Sequence, residues 1–195
     1  MPIKTRPVFP ALPTLGYLGS YQLSASGLTA TTPGAGATSF SFQWAPPAGQ
    51  LCVITAVDLR IIVATVITVQ PVMGFVFARG FTAPDTGGTA LTGPFSKRTS
   101  YPTSLVADVR AATAASLTPG TRTPDSTSFF IANASPVGSV TQTQGQPTTW
   151  GIHHPDPIIL AANEGLLLNN IVAQGSGTYQ YFMRMEWFEV RAGSL

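Results

Sequence analysis

Apolar side chains fall on every second residue in stretch after stretch of this chain, and an extended strand is what turns that spacing into one continuous face. Phe40, Phe42 and Trp44 share one side of such a segment, while Ser39, Ser41 and Gln43 share the other. Val53, Thr55, Val57, Leu59, Ile61 and Val63 form a second row, with Asp58 and Arg60 on the reverse face. That row outruns the usual strand of about five or six residues. The sequence therefore predicts a bend or break near Ala64-Thr65, or one strand serving two sheets. From Val72 to Phe81, Met73, Phe75 and Phe77 face one way and the smaller Gly74, Val76 and Ala78 the other, which admits a close neighbour. Tyr181, Met183, Met185 and Trp187 make the clearest row, backed by Gln180, Phe182, Arg184, Glu186 and Phe188.

Turn chemistry separates these segments. Ile158-Ile159-Leu160 and the run from Leu166 to Val172 flank Ala161-Ala162-Asn163-Glu164-Gly165, and Gly175-Ser176-Gly177 reverses the chain again. Between Ser104 and Leu117, Leu105, Val109 and Ala112 fit a helical stripe, and Leu105, Ala107, Val109 and Ala111 fit a strand face equally well; we read it as a strand. Asp58 and Arg60 are echoed by Asp108 and Arg110, so two strands carry an acid and a base on one face, available for cross-strand pairing. Short strands divided by Gly, Pro, Asp and Ser clusters predict an all-β fold: an antiparallel β-sandwich or jelly-roll-like single domain over residues 17–195. At 195 residues one domain buries a sizeable core without disulfide staples.

Two regions are unlike a core. Residues 1–16 space Pro2, Pro7, Pro10 and Pro13 among Ile3, Val8, Phe9, Leu12 and Leu15. Proline removes backbone donors and favours extended conformations, so this stretch is expected to be an arm outside any ladder. Its apolar side chains need a partner. Three readings are open: the arm folds back on its own domain, it lies across a neighbouring subunit, or it is plainly disordered. Asn133 to Thr149, rich in Gln, Thr, Ser and Gly, is read as a long exposed loop or hairpin.

Charge narrows the function. Only 9% of residues are Asp, Glu, Lys or Arg, against roughly a quarter in an ordinary soluble domain. Depletion of charge marks the centres of protein contacts, which suggests a building block. The formal charge of +2 comes from scattered residues without a basic patch, so no direct nucleic-acid partner is expected. The most apolar window, Leu51 to Val69, includes Asp58 and Arg60 and is rich in β-branched residues, and no membrane partner is expected. Residues 1–7 lack the apolar run of a signal peptide, so export by that route is not expected.

Few groups remain for chemistry. Cys52 is alone and reads as a buried thiol, not a nucleophile. His153 and His154 are adjacent, so an extended chain points them to opposite faces, which argues against a shared metal. Asp85, Asp125, Asp156 and Glu164 could in principle supply paired carboxylates, but they sit beside Gly and Pro as turn residues do. No nucleophile elbow or phosphate-binding loop is present. The expectation is a protein without enzymatic activity or cofactor. Trp44, Trp150 and Tyr179 are the aromatics a sugar-binding module would use, although core positions suit them better.

Four segments resemble small virion-associated structural proteins of tailed bacteriophages. They are Phe75 to Leu91, Leu105 to Arg122, Pro157 to Gly165 and Met185 to Val190, whose order and spacing agree over about residues 50–190. The resemblance implies a virion structural role. Within that group, a small all-β chain with a proline-rich arm is most similar to a capsid decoration or cement protein, which binds the exterior of the major capsid protein lattice and braces it. A homo-oligomer, with a trimer favoured, and capsid stabilisation on the virion exterior after synthesis in the host cytoplasm are what it implies. A tail, collar or fibre-adaptor protein is the alternative, and a carbohydrate-binding module a second.

Overall fold

The computed structural model describes residues 16–31, 33–93, 95–113, 116–134, 148–150 and 157–193, with backbone alone at 26–31 and 148–150. The alternating segments form strands, in chain order β1 (Tyr17–Thr31), β2 (Thr38–Trp44), β3 (Gln50–Val63), β4 (Val72–Arg79), β5 (Thr89–Ala90), β6 (Val106–Ala111), β7 (Thr123–Pro124), β8 (Phe130–Asn133), β9 (Thr148–Trp150), β10 (Ile158–Leu160), β11 (Glu164–Asn170) and β12 (Thr178–Arg191). The ambiguous stretch after Ser104 is thus a strand, β6.

Four antiparallel pairs nest one inside another: β1 with β12, β2 with β11, β3 with β10 and β4 with β8. That is a long hairpin wound up on itself. Successive pairs go to opposite sheets, giving one sheet ordered β1-β12-β3-β10, with β9 also on β3, and a second ordered β5-β6-β2-β11-β4-β7, with β8 also on β4. Two antiparallel sheets joined this way form a β-sandwich of jelly-roll topology. Its core is aromatic and aliphatic, with Tyr21, Phe40, Phe42, Trp44, Phe75, Tyr181 and Trp187 fully buried between the sheets.

The long row of β3 ends in the break expected near Ala64-Thr65, and a bulge within it adds a feature that was not expected. The strand runs for 14 residues within one sheet, and the chain leaves the ladder at Ala64 and Thr65, whose N–H groups both donate to the Thr178 carbonyl. Inside the strand, Glu186 faces Ala56 and Trp187 faces Ile54, so Thr55 is an extra residue, a bulge. The bulge inverts the side-chain parity. Val57, Leu59, Ile61 and Val63 enter the core as expected, but upstream it is Cys52 and Ile54 that enter it, and Val53 turns outward between Phe188 and Ile159.

The expectation of one buried face per strand is corrected at β2. Every residue of β2 is buried, Ser41 and Gln43 included: Ser39, an extra residue at a register shift, accepts at its hydroxyl from Asn170 Nδ2 at 2.8 Å, and the 50-residue connection from β4 to β8 covers the outer face of the second sheet. There Val76, Ala78, Phe81 and Leu167 form a second apolar cluster. The two strands that carry the echoed acid and base, β3 and β6, lie in different sheets, and cross-strand pairing is made with other partners. Asp58 pairs instead with Arg184 of β12, and Asp108 with Arg110 two residues along its own strand.

The same connection also closes one side of the sandwich. It adds β5 to the second sheet, crosses to the first, where Gln22 N–H donates to the Phe95 carbonyl and Lys97 N–H to the Ser20 carbonyl, and returns to lay β6 between β5 and β2. Both strand edges on that side are thereby paired, which removes templates for edge-to-edge aggregation.

Candidate interaction surfaces

The arm residues Ile3, Val8, Phe9, Leu12 and Leu15 lie outside the described residues, as do His153, His154 and residues 135–147 of the polar loop. The arm's point of departure is described. Gly16 sits beside the end of β12, where Arg191 N–H donates to its carbonyl at 2.8 Å, and Ala192 N–H donates to Gly49 at 2.8 Å. Tyr17 follows, its ring edge-on to Tyr101 at 5.8 Å and tilted against Phe188 at 6.4 Å. Burial pushes the Tyr17 hydroxyl up to about 12. The guanidinium of Arg98 lies 5.8 Å from the Tyr101 ring centre. The described residues therefore begin beside an aromatic platform at the end of the sandwich that also carries the C-terminal end of β12.

Every acid among the described residues is already engaged. Arg79 bridges Asp125 (3.2 Å) and Glu164 (3.3 Å). Arg184 bridges Asp58 (3.1 Å) and Glu186 (3.2 Å), and Lys97 reaches Glu186 at 2.5 Å. Exposed pairs of this kind add little to stability, but they quench the surface field locally. Asp108, raised above the ordinary aspartate range by burial, accepts from Arg110 at 2.9 Å.

Two acids are buried outright. Asp85, read from sequence as a turn residue, is fully enclosed and takes a two-pronged contact from Arg122, Nε to Oδ1 at 2.7 Å and Nη2 to Oδ2 at 2.9 Å. Gly120 N–H also donates to Asp85 at 2.8 Å, and Arg122 Nη2 donates to the Thr38 hydroxyl of β2 at 3.1 Å. The pair thus clamps the outgoing and returning arms of the β4–β8 connection against β2. Glu189 of β12 is also enclosed; one oxygen accepts from Ser104 Oγ at 2.5 Å, Leu105 N–H at 3.1 Å and Trp187 Nε1 at 3.3 Å. Burial raises its pKa, and these donors oppose the rise. No sequence signal marked either clamp, because 37 residues separate Asp85 from Arg122 and 85 separate Ser104 from Glu189.

The candidate chemical groups fare as follows. Cys52 is fully buried, and its enclosure drives the thiol well above its ordinary value. Trp44 and Tyr179 are core side chains, with the Tyr179 hydroxyl bonded to Asn170, so neither presents a face to a sugar. Asp125 and Glu164 do meet, but across the guanidinium of Arg79. Among the described residues no three His, Cys, Asp or Glu side chains gather as a metal site, and no helix is long and apolar enough to cross a membrane. A shallow cleft between β5, β6 and the connection is lined by Leu91, Phe95, Ser104, Val106 and Asp108. No family model, curated protein or solved structure matches the chain.

Proposed function

We propose that this chain is a non-enzymatic structural protein of a tailed-phage virion, a cement protein that binds the outside of the major capsid protein lattice and stabilises it. The observation that carries this reading is the engagement of every described acid in a pair or a buried clamp. Beside exposed cations such as Arg98 and Arg191, the surface left for contact is largely one of Thr, Ser, Gly and apolar groups, suited to adhesion. The jelly roll agrees, recurring in viral capsid domains as well as lectins and cupins, but a fold alone does not select a role.

The arm supplies reach. Fifteen residues in a polyproline conformation span roughly 45 Å, about the length of the 14-residue strand β12 at 3.3 Å per residue. An arm leaving at Gly16 can therefore cross a whole neighbouring subunit. Each contact is weak, and repetition over a lattice adds them through multivalency. Binding the assembled shell in preference to free subunits stabilises that shell by mass action.

Deletion of residues 2–15 tests this. The shortened protein is expected to keep its circular dichroism and to occupy purified capsids at least about ten-fold more weakly, a loss of about 1.4 kcal/mol per site. Unchanged occupancy removes the arm from the mechanism. Labelling on intact particles separates many copies over the head, as a cement protein requires, from a few copies at one vertex, as a tail or collar part requires.

A further inference from the structure

Glu189 stands apart from the other described acids. Asp58, Asp85, Asp108, Asp125, Glu164 and Glu186 each meet an arginine or a lysine. Glu189, fully enclosed near the end of β12, meets only neutral donors among the described residues: Ser104 Oγ, Leu105 N–H and Trp187 Nε1. A buried carboxylate without a counter-charge is costly unless donors or a proton compensate it. Two of the three donors belong to residues 95–105, the part of the β4–β8 connection that crosses to the first sheet.

This segment is a thin cover. None of residues 95–105 is buried, and Lys97, Arg98, Thr99, Ser100, Pro102 and Thr103 are exposed. Beneath it Tyr21, Trp187 and Glu189 are buried, with Tyr21 stacked on Trp187 at 5.7 Å and Phe95 tilted against Trp187 at 5.8 Å. Its hold is therefore mainly polar. Gln22 N–H donates to Phe95, Lys97 N–H to Ser20 and the Tyr21 hydroxyl to the Pro102 carbonyl at 3.2 Å, and Lys97 pairs with Glu186. Phe95, where the segment begins, has φ +51°, a left-handed backbone that a bulky side chain adopts only under constraint. Segments with few buried apolar contacts open locally before the whole fold does.

We infer that residues 95–105 form a strap that a proton on Glu189 keeps closed and that opens as Glu189 ionises. Closed, the strap shields the carboxylate from water; open, it lets water hydrate the charge. Burial accordingly raises Glu189 in the closed state, with its three donors opposing the rise. The closed state binds the proton more tightly, so rising pH favours the open one, by up to about ten-fold per pH unit between the open-state and closed-state values. The neighbouring groups do not supply this trend. Tyr21 of β1 and Cys52 of β3 are held neutral by burial, and β2 and β10 carry no ionisable side chain. Asp108 and Arg110 of β6 pair with each other, and on the strap Arg98 lies over Tyr101, whose hydroxyl accepts from Tyr17. The Lys97–Glu186 pair has the opposite sense, because it strengthens as Glu186 ionises. Opening uncovers Tyr21, Trp187 and the Ser20–Gln22 edge of β1, and the inference does not rest on the virion reading.

The test is native-state amide hydrogen exchange of the full chain from about pH 4 to 8, with each rate divided by the intrinsic rate of an unstructured peptide to give an opening equilibrium. The Gln22, Lys97 and Leu105 amides report the strap, and the amides of the β3–β12 ladder report global unfolding. In the wild type the strap amides are expected to open more readily than the ladder, and their opening equilibria to rise at least about three-fold as Glu189 titrates. Glu189→Gln, which has no proton to lose, should stay level or fall with pH. Ser104→Ala removes a donor from the ionised form, so it should carry the rise to higher pH; it also serves where Glu189→Gln loses the fold. Strap amides that match the ladder at every pH, wild-type opening that does not rise with pH, or an equal rise in Glu189→Gln overturns the inference.

Discussion

Removing one member of the buried Asp85–Arg122 pair should be among the most damaging single changes available to this protein. The side chains retain 0% and 5% exposure, and the contact is two-pronged, so Asp85→Ala strands a guanidinium where water cannot restore its hydration. Breaking a buried pair from one side costs about 3–5 kcal/mol. Gly120 N–H loses its acceptor as well, and an unsatisfied donor adds to the loss. Arg122→Met strands the carboxylate instead and should cost a similar amount, softened by the Gly120 bond that remains. The double variant Asp85→Ala/Arg122→Met leaves no buried charge. It should lose only about 2–4 kcal/mol, well short of the sum of the single losses, through the missing bonds to Gly120 and Thr38 and the altered packing. Urea denaturation at fixed protein concentration reads these differences; with a slope of about 2–3 kcal/mol per molar, each single variant should lower the midpoint by about 1–2 M. A single-variant cost below about 1 kcal/mol, or a double variant equal to the sum, would refute the claim that this pair clamps the connection to β2.

Two other predictions concern buried or strained positions. The folded-state pKa of Glu189 is raised above the unfolded value, so the folded protein holds this proton more tightly. The associated stability is full below the ordinary glutamate value of 4.5 and is lost as pH rises through the folded-state pKa. Glu189→Gln should remove that decline, seen as a narrowing stability difference from wild type as pH increases across the window; a difference independent of pH would refute it. Gly88 has φ +59°, and a Cβ there would strike the Ala111 carbonyl and the Leu117 side chain, whereas Gly36, at φ +77°, faces open space. Gly36→Ala should therefore cost about 1 kcal/mol of backbone strain and Gly88→Ala at least about 2 kcal/mol, by the same denaturation assay; equal costs would refute the steric part of the argument.

Much of the architecture was legible because alternation is local. The row from Tyr181 to Trp187 becomes β12, Met73 and Phe75 enter the core, and the left-handed backbone of Asn163, at φ +65°, turns the chain from one sheet to the other between β10 and β11. Sequence showed that charge is scarce, but which uncharged stretches end together depends on long-range strand pairing.

The chain by itself determined strands, their apolar faces and the shortage of ionised groups, since period-two spacing and composition act residue by residue. Tertiary structure decided the rest. The bulge at Thr55 reverses the faces of β3 through a single extra residue that carries no distinctive chemistry. Asp85 became a clamp because Arg122 meets it across β2, and β2 was buried on both faces because a distant connection folds over it. In each case the energy resides in a contact between groups far apart along the chain, and local preference is silent about such contacts.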